Sequence, residues 1–282
     1  MTEPQILLSG LAIGESPRWH EGRLWFCNWG AQEVVAVDLG GNSEVTARVP
    51  AVFSFSIDWL RDGNLLVVLG VEARLLRRGS DGSLVTHAEL GEISGWPWND
   101  VVVDGRGNAY VGNIGFDFPE GEYAPGTIAV VAPDGSARQA ADGVAFPNGM
   151  AVTPDDETLL VAESYGNRLT AFDIAEDGGL SNRRVWAELG DGVPDGICLD
   201  AEGAVWYADV PNRRCVRVRE GGEVLQTVGL DRGCFACALG GPDRCTLLIM
   251  AAEYPGGGDG AEAGRTGQVV ALRAPAPGAG RP

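Results

Sequence analysis

The stretch AFPNGMAVTPDDETLLVAES, residues 145–164, reads as two short apolar strands around a turn rich in Asp and Glu. Its first strand opens on Pro147, Asn148 and Gly149, placing a polar amide where an apolar residue would pack better. Nearly the same arrangement returns in VPDGICLDAEGAVWYADV, residues 193–210, with Asp195 in the place of Asn148. Four further segments share this grammar: ESPRWHEGRLWFCNW from Glu15, FSIDWLRDGNLLVVLG from Phe55, NDVVVDGRGNAYVGN from Asn99 and FACALGGPDRCTLLIMAAE from Phe235. Third and fourth strand candidates lie between them, among them TIAVVAP, RLTAFDI and CVRVRE. Six units, each offering about four strands, predict an all-β, six-bladed β-propeller in which every blade buries its faces against its neighbours.

Composition agrees with that reading. The 282 residues include 42 glycines and 16 prolines, a turn-rich mixture that serves helices poorly, while a 45% hydrophobic fraction can fill a continuous core. No shift in composition divides the chain, so residues 1–282 are expected to form one domain. The segment FDFPEGEYAPG, 116–126, is long for a hairpin and is expected to overhang one end. YPGGGDGAEAGRTG, 254–267, reads as a flexible surface loop and the tail 274–282 as disordered.

The formal net charge of −18 repels phosphate backbones and anionic headgroups, which argues against a nucleic-acid or membrane partner. No apolar run approaches the roughly 18 residues of a spanning helix, and no secretory signal is visible at the start, so a cytoplasmic location is expected. Six cysteines then read as reduced thiols packed in strands, including Cys234 and Cys237 of the CFAC motif. With only His20 and His87 present, a histidine triad or a histidine-rich zinc site has almost no material. Chemistry must run on carboxylates, amides and a metal.

In a propeller the innermost strand of each blade lines the central channel, and all of these strands enter at one end. Counting back eight residues from the turn aligns Phe55, Asn99, Asn148, Asp195 and Phe235, and seven residues align Glu15. Equivalent positions face one another, so the oxygen-bearing Glu15, Asn99, Asn148 and Asp195 are expected to converge. Two carboxylates brought together raise each other's pKa unless a cation neutralises them. Carboxylate and amide oxygens without imidazole or thiolate are a hard-cation donor set, favouring Ca²⁺ over Mg²⁺, Mn²⁺, Zn²⁺ or Fe²⁺. Asn28, Asn113, Glu163, Asp209 and Glu253 close the second strands near the same opening, where they would orient the ligands or cap strand ends.

The motifs GESPRW (14–19), WND (98–100), FPNGMAVTPD (146–155) and PDGICLDAEGAVW (194–206) closely resemble the SMP-30/gluconolactonase/luciferin-regenerating-enzyme-like family, over about residues 12–252 and in the family's order. The resemblance implies a six-bladed propeller with one catalytic divalent cation, hydrolysing lactones or related esters. It places Glu15, Asn148 and Asp195 on the metal, with Asn99 as a fourth ligand or substrate contact. It also makes Asp195 the proton acceptor or nucleophile and brings Asp117 near the substrate.

Where sugar-lactonase relatives carry an Arg, this chain has Pro97, between Trp96 and Trp98. With Phe53, Phe55, Phe116, Phe118 and Phe235 as further rim candidates, an apolar or aromatic lactone or ester is expected in place of a sugar; the same rings would equally suit the core. Trp98, Phe55 and Phe235 are therefore candidate substrate contacts. A calcium-binding or ligand-sensing propeller without turnover, and a phosphotriesterase, are the rival readings. A monomer is expected.

Overall fold

The computed structural model describes residues 3–51, 54–253 and 264–281. Among these residues the strands form six four-stranded antiparallel sheets. Their innermost strands, in chain order, are Gly14–His20, Phe55–Trp59, Trp98–Val103, Pro147–Val152, Pro194–Leu199 and Gly233–Gly240, defining blades 1 to 6. Each inner strand neighbours the inner strands of the blades on either side, and blade 6 meets blade 1, so the ring closes. The chain folds as the six-bladed β-propeller expected from its repeats.

Ring closure uses a device that the repeats do not announce. The outermost strand of blade 6 is Gln5–Leu11, which pairs with Gly267–Arg273 and joins the two ends of the propeller in one sheet. The loop 254–267 lies largely outside the described residues.

The core is divided among the blade interfaces. Leu66, Val68 and Leu75 of blade 2 pack with Val101, Val103 and Val111 of blade 3, and Leu160 and Leu169 of blade 4 pack with Leu199 and Val216 of blade 5. Inward runs such as LLVVL, 65–69, are buried along their whole length because both faces of a blade are covered. Asp residues fix the turns between inner and second strands: Asp104 Oδ1 accepts from the Arg106 and Asn108 amides, and Asp200 Oδ1 from those of Glu202 and Ala204.

The tail differs from expectation. Residues 274–281 form a strap across the ends of blades 6, 5 and 4, bonded through Gly278 N to Arg244 O, Ala279 N to Leu199 O and Arg281 N to Val152 O. Ala274 and Ala276 of the strap are themselves buried. An Ala/Pro/Gly composition suggested disorder, but prolines leave their carbonyls free, and Pro277 O accepts from the Ala201 amide.

The 116–126 segment is anchored by an aromatic cluster. Phe116 packs against Phe118, Tyr123 and Phe146, and Tyr165 stacks on Phe146 with centroids 4.7 Å apart. Phe116 and Phe118 therefore pin this loop to the stretch leading into Asn148. No helix among the described residues is long and apolar enough to cross a membrane.

Candidate metal centre and its surroundings

Five inner strands break their pairing near their starts, blade 6 between Cys234 and Ala236 and the other four in one common pattern. In blade 1 three steps from Glu15 to Arg18 oppose two steps on the partner strand, and the same bulge falls between Trp98 and Val101, Pro147 and Met150, and Pro194 and Ile197. Glu15 borders the first bulge, and Asn99, Asn148 and Asp195 lie within the others. A bulge leaves a residue unpaired and re-aims its side chain, a device common beside active sites. Ser16, inside the blade 1 bulge, takes φ of 51° to make the bend.

These bulges converge on a cavity of about 20 Å³ on the propeller axis, room for one water-sized particle. Glu15, Arg18, Asn99, Asp100, Asn148 and Cys237 are among its walls. The Asn99 Nδ2 donates to Asn148 Oδ1 at 3.1 Å, and Asn148 Nδ2 reaches Ser164 Oγ at 3.4 Å. Asn148 lowers the Asp195 carboxyl against the effect of burial, and the Asp195 neighbours Gly196 and Ile197 line the cavity.

Gly149 and Gly196 permit this crowding. A Cβ on Gly149 would lie 2.5 Å from Ile197 N, and one on Gly196 would lie 2.4 Å from the Ala236 Cβ. Neither glycine has a positive φ, so close approach of neighbouring inner strands is what excludes a side chain at these positions.

The electrostatics of the pair are unfavourable without a cation. Burial, followed by repulsion from Asp195 and Asp100, pushes the Glu15 carboxyl well above the usual carboxylate range. Burial, then Asp100 and Asp209, does the same to Asp195. The nearby guanidinium is already engaged: Arg18, 5% exposed, donates through Nη2 to Asp100 Oδ1 at 3.0 Å and to Val101 O at 2.6 Å. Asp58, which accepts the Val103 amide at 2.7 Å, is pushed to about 6 by burial despite Arg18.

Two buried carboxyls, both raised by burial and by neighbouring carboxylates, beside amide groups fit a hard divalent cation. Glu15, Asn148 and Asp195 could hold it, with Asn99 alongside. Among the described residues no three His, Cys, Asp or Glu side chains form a metal-binding group, so amide oxygens would have to complete the coordination.

The aromatic candidates Phe55, Trp98 and Phe235 are buried and none lines the cavity. Phe55 is 1% exposed within the core between blades 1 and 2, and Trp98 is fully buried between blades 2 and 3. Phe235, 7% exposed, packs with Ile13 and Ala252 and does not line the cavity. The physical reason for Phe55 is that blade 2 has no bulge: Phe55 pairs regularly with Leu69, so its ring stays in the sheet's packing layer. Trp98 precedes the blade 3 bulge and keeps its pairing with Asn113. Phe53 lies outside the described residues.

Asp117 instead lines a separate groove of about 320 Å³ with Val71, Trp96, Pro97, Phe118 and Pro119. Trp96 is 48% exposed there. The groove lies beside the loop that leads into Asn99.

The polar residues closing the second strands act one step from the cavity. Asn28 Oδ1 accepts the Ala12 amide, Asn113 Nδ2 donates to Trp96 O, and Glu163 Oε2 accepts the Ala145 amide. Asp209 accepts from Asn212 Nδ2, which also donates to Asp191 O. Each thus secures the loop that enters its own blade's inner strand. Glu253 is exposed and shows no such role among the described residues.

Arg18 and Ser16 escaped the sequence reading, as did the place of Cys237 at the cavity. The available signal was the position of Arg18 inside an inner-strand segment, ESPRWH, where an arginine needs a buried partner.

Comparison with known proteins shows the family of the chain. Residues 13–253 match the family model described as SMP-30/Gluconolactonase/LRE-like region. Regucalcin of Xenopus laevis is 31% identical over 251 residues, covering 85% of this chain and 83% of the relative. A pentonolactonase of Haloferax volcanii is 27% identical over 282 residues, covering 93% and 89%. The crystal structure of a calcium-binding protein, regucalcin, from Agrobacterium tumefaciens superposes with a TM-score of 0.81 at 24% identity, covering 99% of this chain and 95% of that one.

Proposed function

The chain belongs to the SMP-30/gluconolactonase/LRE-like family, and from that premise we propose that it is a divalent-cation-dependent hydrolase opening apolar lactones or cleaving related aryl esters. The observation that carries this reading is a pair of buried carboxyls, Glu15, raised by burial and by repulsion from Asp195, and Asp195, raised by burial and by Asp100, with Glu15 and Asn148 on the wall of a cavity of single-ion size. Lactonase names among the relatives supply the reaction class, and the calcium-binding relative supplies the preferred cation.

Glu15, Asn148 and Asp195 would hold the cation, with Asn99 as a further ligand or a substrate contact. When bound, it would polarise the ester carbonyl and offset the negative charge that grows on its oxygen, an effect worth several kcal/mol. Asp195 would accept the proton of the attacking water on its carboxylate. Arg18 keeps the neighbouring Asp100 in a fixed ion pair, leaving Asp195 as the base. Asn99 and Asn148, bonded to each other, would set the position of the carbonyl.

The preference for an apolar substrate is supported by Pro97, which offers no side-chain hydrogen bond, and by the groove of Val71, Trp96 and Phe118 beside it. Among the described residues Asp117 is the one acidic group on that wall. Phe55, Trp98 and Phe235, all buried, would support the site from the core without touching substrate.

The calcium-binding name of the relative favours a second reading, a cation-binding propeller without turnover. Hydrolysis assays over sugar lactones, alkyl lactones, aryl esters and phosphotriesters, with and without chelator, separate the readings. Turnover of alkyl lactones or aryl esters that stops with chelator and returns with Ca²⁺ is expected. Calcium binding with no hydrolysis would establish the second reading, and turnover of phosphotriesters alone would identify a different hydrolase.

A further inference from the structure

The groove of about 320 Å³ beside the loop into Asn99 carries a charge that an apolar lining does not require. Its walls come from three loops: Val71 after the second strand of blade 2, Gly95 to Pro97 ahead of Asn99, and Asp117 to Pro119. Trp96 leaves 48% of its surface exposed here. Among the described residues the Asp117 carboxylate meets no hydrogen-bond or ion-pair partner. Other exposed aspartates are satisfied within their own turns, where Asp62, Asp81 and Asp134 accept the amides of Asn64, Ser83 and Ser136.

The loops that carry both groups are fixed. The Trp96 carbonyl accepts from Asn113 Nδ2 at 2.6 Å, and its amide donates to Ser94 Oγ, which donates in turn to Asn113 Oδ1. The Asp117 turn is closed by its main-chain carbonyl, which accepts the Gly121 amide at 2.5 Å and leaves the carboxylate unused. Gly121 packs so tightly there that a Cβ would lie 2.7 Å from that same oxygen. No basic residue lines the groove among the described residues.

An indole face and an unpaired carboxylate in one preformed groove are the donor set for an organic ammonium group. The ring quadrupole attracts the cation and the carboxylate neutralises it. An anionic ligand would be repelled by Asp117 and by the net charge of −18, and a neutral one would cover the carboxylate without compensating it. We propose that this groove binds an organic cation, and that the substrate of the neighbouring site is an apolar ester or lactone bearing an ammonium group. The substrate class rests on the hydrolytic reading; binding by the groove does not. Three residues of extended chain span at most about 10 Å, so one small molecule can reach from Trp96 to Asn99.

The test is titration calorimetry of the full-length, chelator-treated chain with benzyltrimethylammonium, benzyl alcohol and phenylacetate as cationic, neutral and anionic probes. One benzyltrimethylammonium per chain should bind, at least about tenfold more tightly than either other probe. Asp117→Asn and Trp96→Leu should each weaken it by about tenfold at an unchanged melting temperature, Trp96→Phe should weaken it less, and Glu15→Gln should retain it. Equal binding of the three probes, binding that survives both Asp117→Asn and Trp96→Leu, or binding lost in Glu15→Gln overturns the groove assignment.

Turnover with calcium restored tests the substrate class. The kcat/KM for benzoylcholine should exceed that for its neutral isostere, 3,3-dimethylbutyl benzoate, by at least about tenfold, and the ratio should fall towards one in Asp117→Asn. Equal turnover of the two esters by the unaltered chain overturns the substrate class. Probe binding as expected with turnover of neither ester would uphold the groove and sink the hydrolytic reading.

Discussion

Asn99 donates its side-chain amide to Asn148 Oδ1 at 3.1 Å, joining blades 3 and 4 across 49 residues of chain. Both side chains come from bulges, and both face the cavity that Glu15 also lines. Replacing Asn148 by Ala would therefore remove a candidate ligand and leave the Asn99 amide only its longer bond to Pro147 O at 3.5 Å. A fall in calcium affinity of at least about tenfold, roughly 1.4 kcal/mol, is expected by titration calorimetry. Unchanged affinity would remove Asn148 from the ligand set.

The two raised carboxyls give the cation-free protein a definite pH dependence. Glu15 and Asp195 hold their protons more tightly folded than unfolded, so the stability they contribute is complete below the ordinary carboxylate pKa, about 4, and is lost as pH rises through the higher folded values. Melting temperature without divalent cations should fall as pH rises from about 4 towards neutrality. Saturating Ca²⁺ should flatten that slope and add about 2.7 kcal/mol at a concentration 100 times the dissociation constant. A melting temperature that rises with pH and ignores Ca²⁺ would contradict the electrostatic account.

Arg18 and Asp100 form an ion pair whose side chains are 6% and 13% exposed. Removing one partner of a buried pair typically costs about 3–5 kcal/mol because the other charge is stranded. Arg18→Met should destabilise by that order in urea unfolding. Arg18→Lys should recover only part of the loss, since a single ammonium replaces the guanidinium that bonds Asp100, Val101 O and Pro17 O together.

Gly149→Ala and Gly196→Ala force a methyl group into the adjoining inner strand. Overpacking of this kind costs about 1–3 kcal/mol. Both variants should lose calcium affinity as well as stability, because the displaced strand carries Asp195 or abuts it. Loss of stability with intact affinity would separate the glycines from the site.

The strap makes a prediction about the far end of the channel. A chain ending at Arg273 forfeits several backbone hydrogen bonds to blades 4, 5 and 6, each worth about 1 kcal/mol net. Its melting temperature should drop by several degrees. An unchanged melting curve would show that the strap adds nothing to the ring.

Repeats made the blades legible in the sequence: the units beginning near Glu15, Phe55, Asn99, Asn148, Asp195 and Phe235 are the six inner strands. The closing strand Gln5–Leu11 was not, because it belongs to no hairpin of its own and gains its partner only when the ends meet. Oxygen-bearing residues at strand mouths pointed to one place in the ring, and counting from the turns aligned them. Counting could not detect the bulges, which is why Phe55 looked equivalent to Asn99: the same offset in a regular ladder sends a side chain into the core. Arg18 and Cys237 were hidden for a related reason, since their places depend on neighbours more than eighty or thirty residues away that no local pattern encodes.

Calcium titration of chelator-stripped protein, set beside Glu15→Gln and Asp195→Asn, tests the centre of the account most directly. One ion per chain should bind to the unaltered protein, and binding should fall by at least about a hundredfold in each variant, roughly 2.7 kcal/mol. Equal binding by all three would place the ion elsewhere and leave the two carboxyls without the role assigned to them.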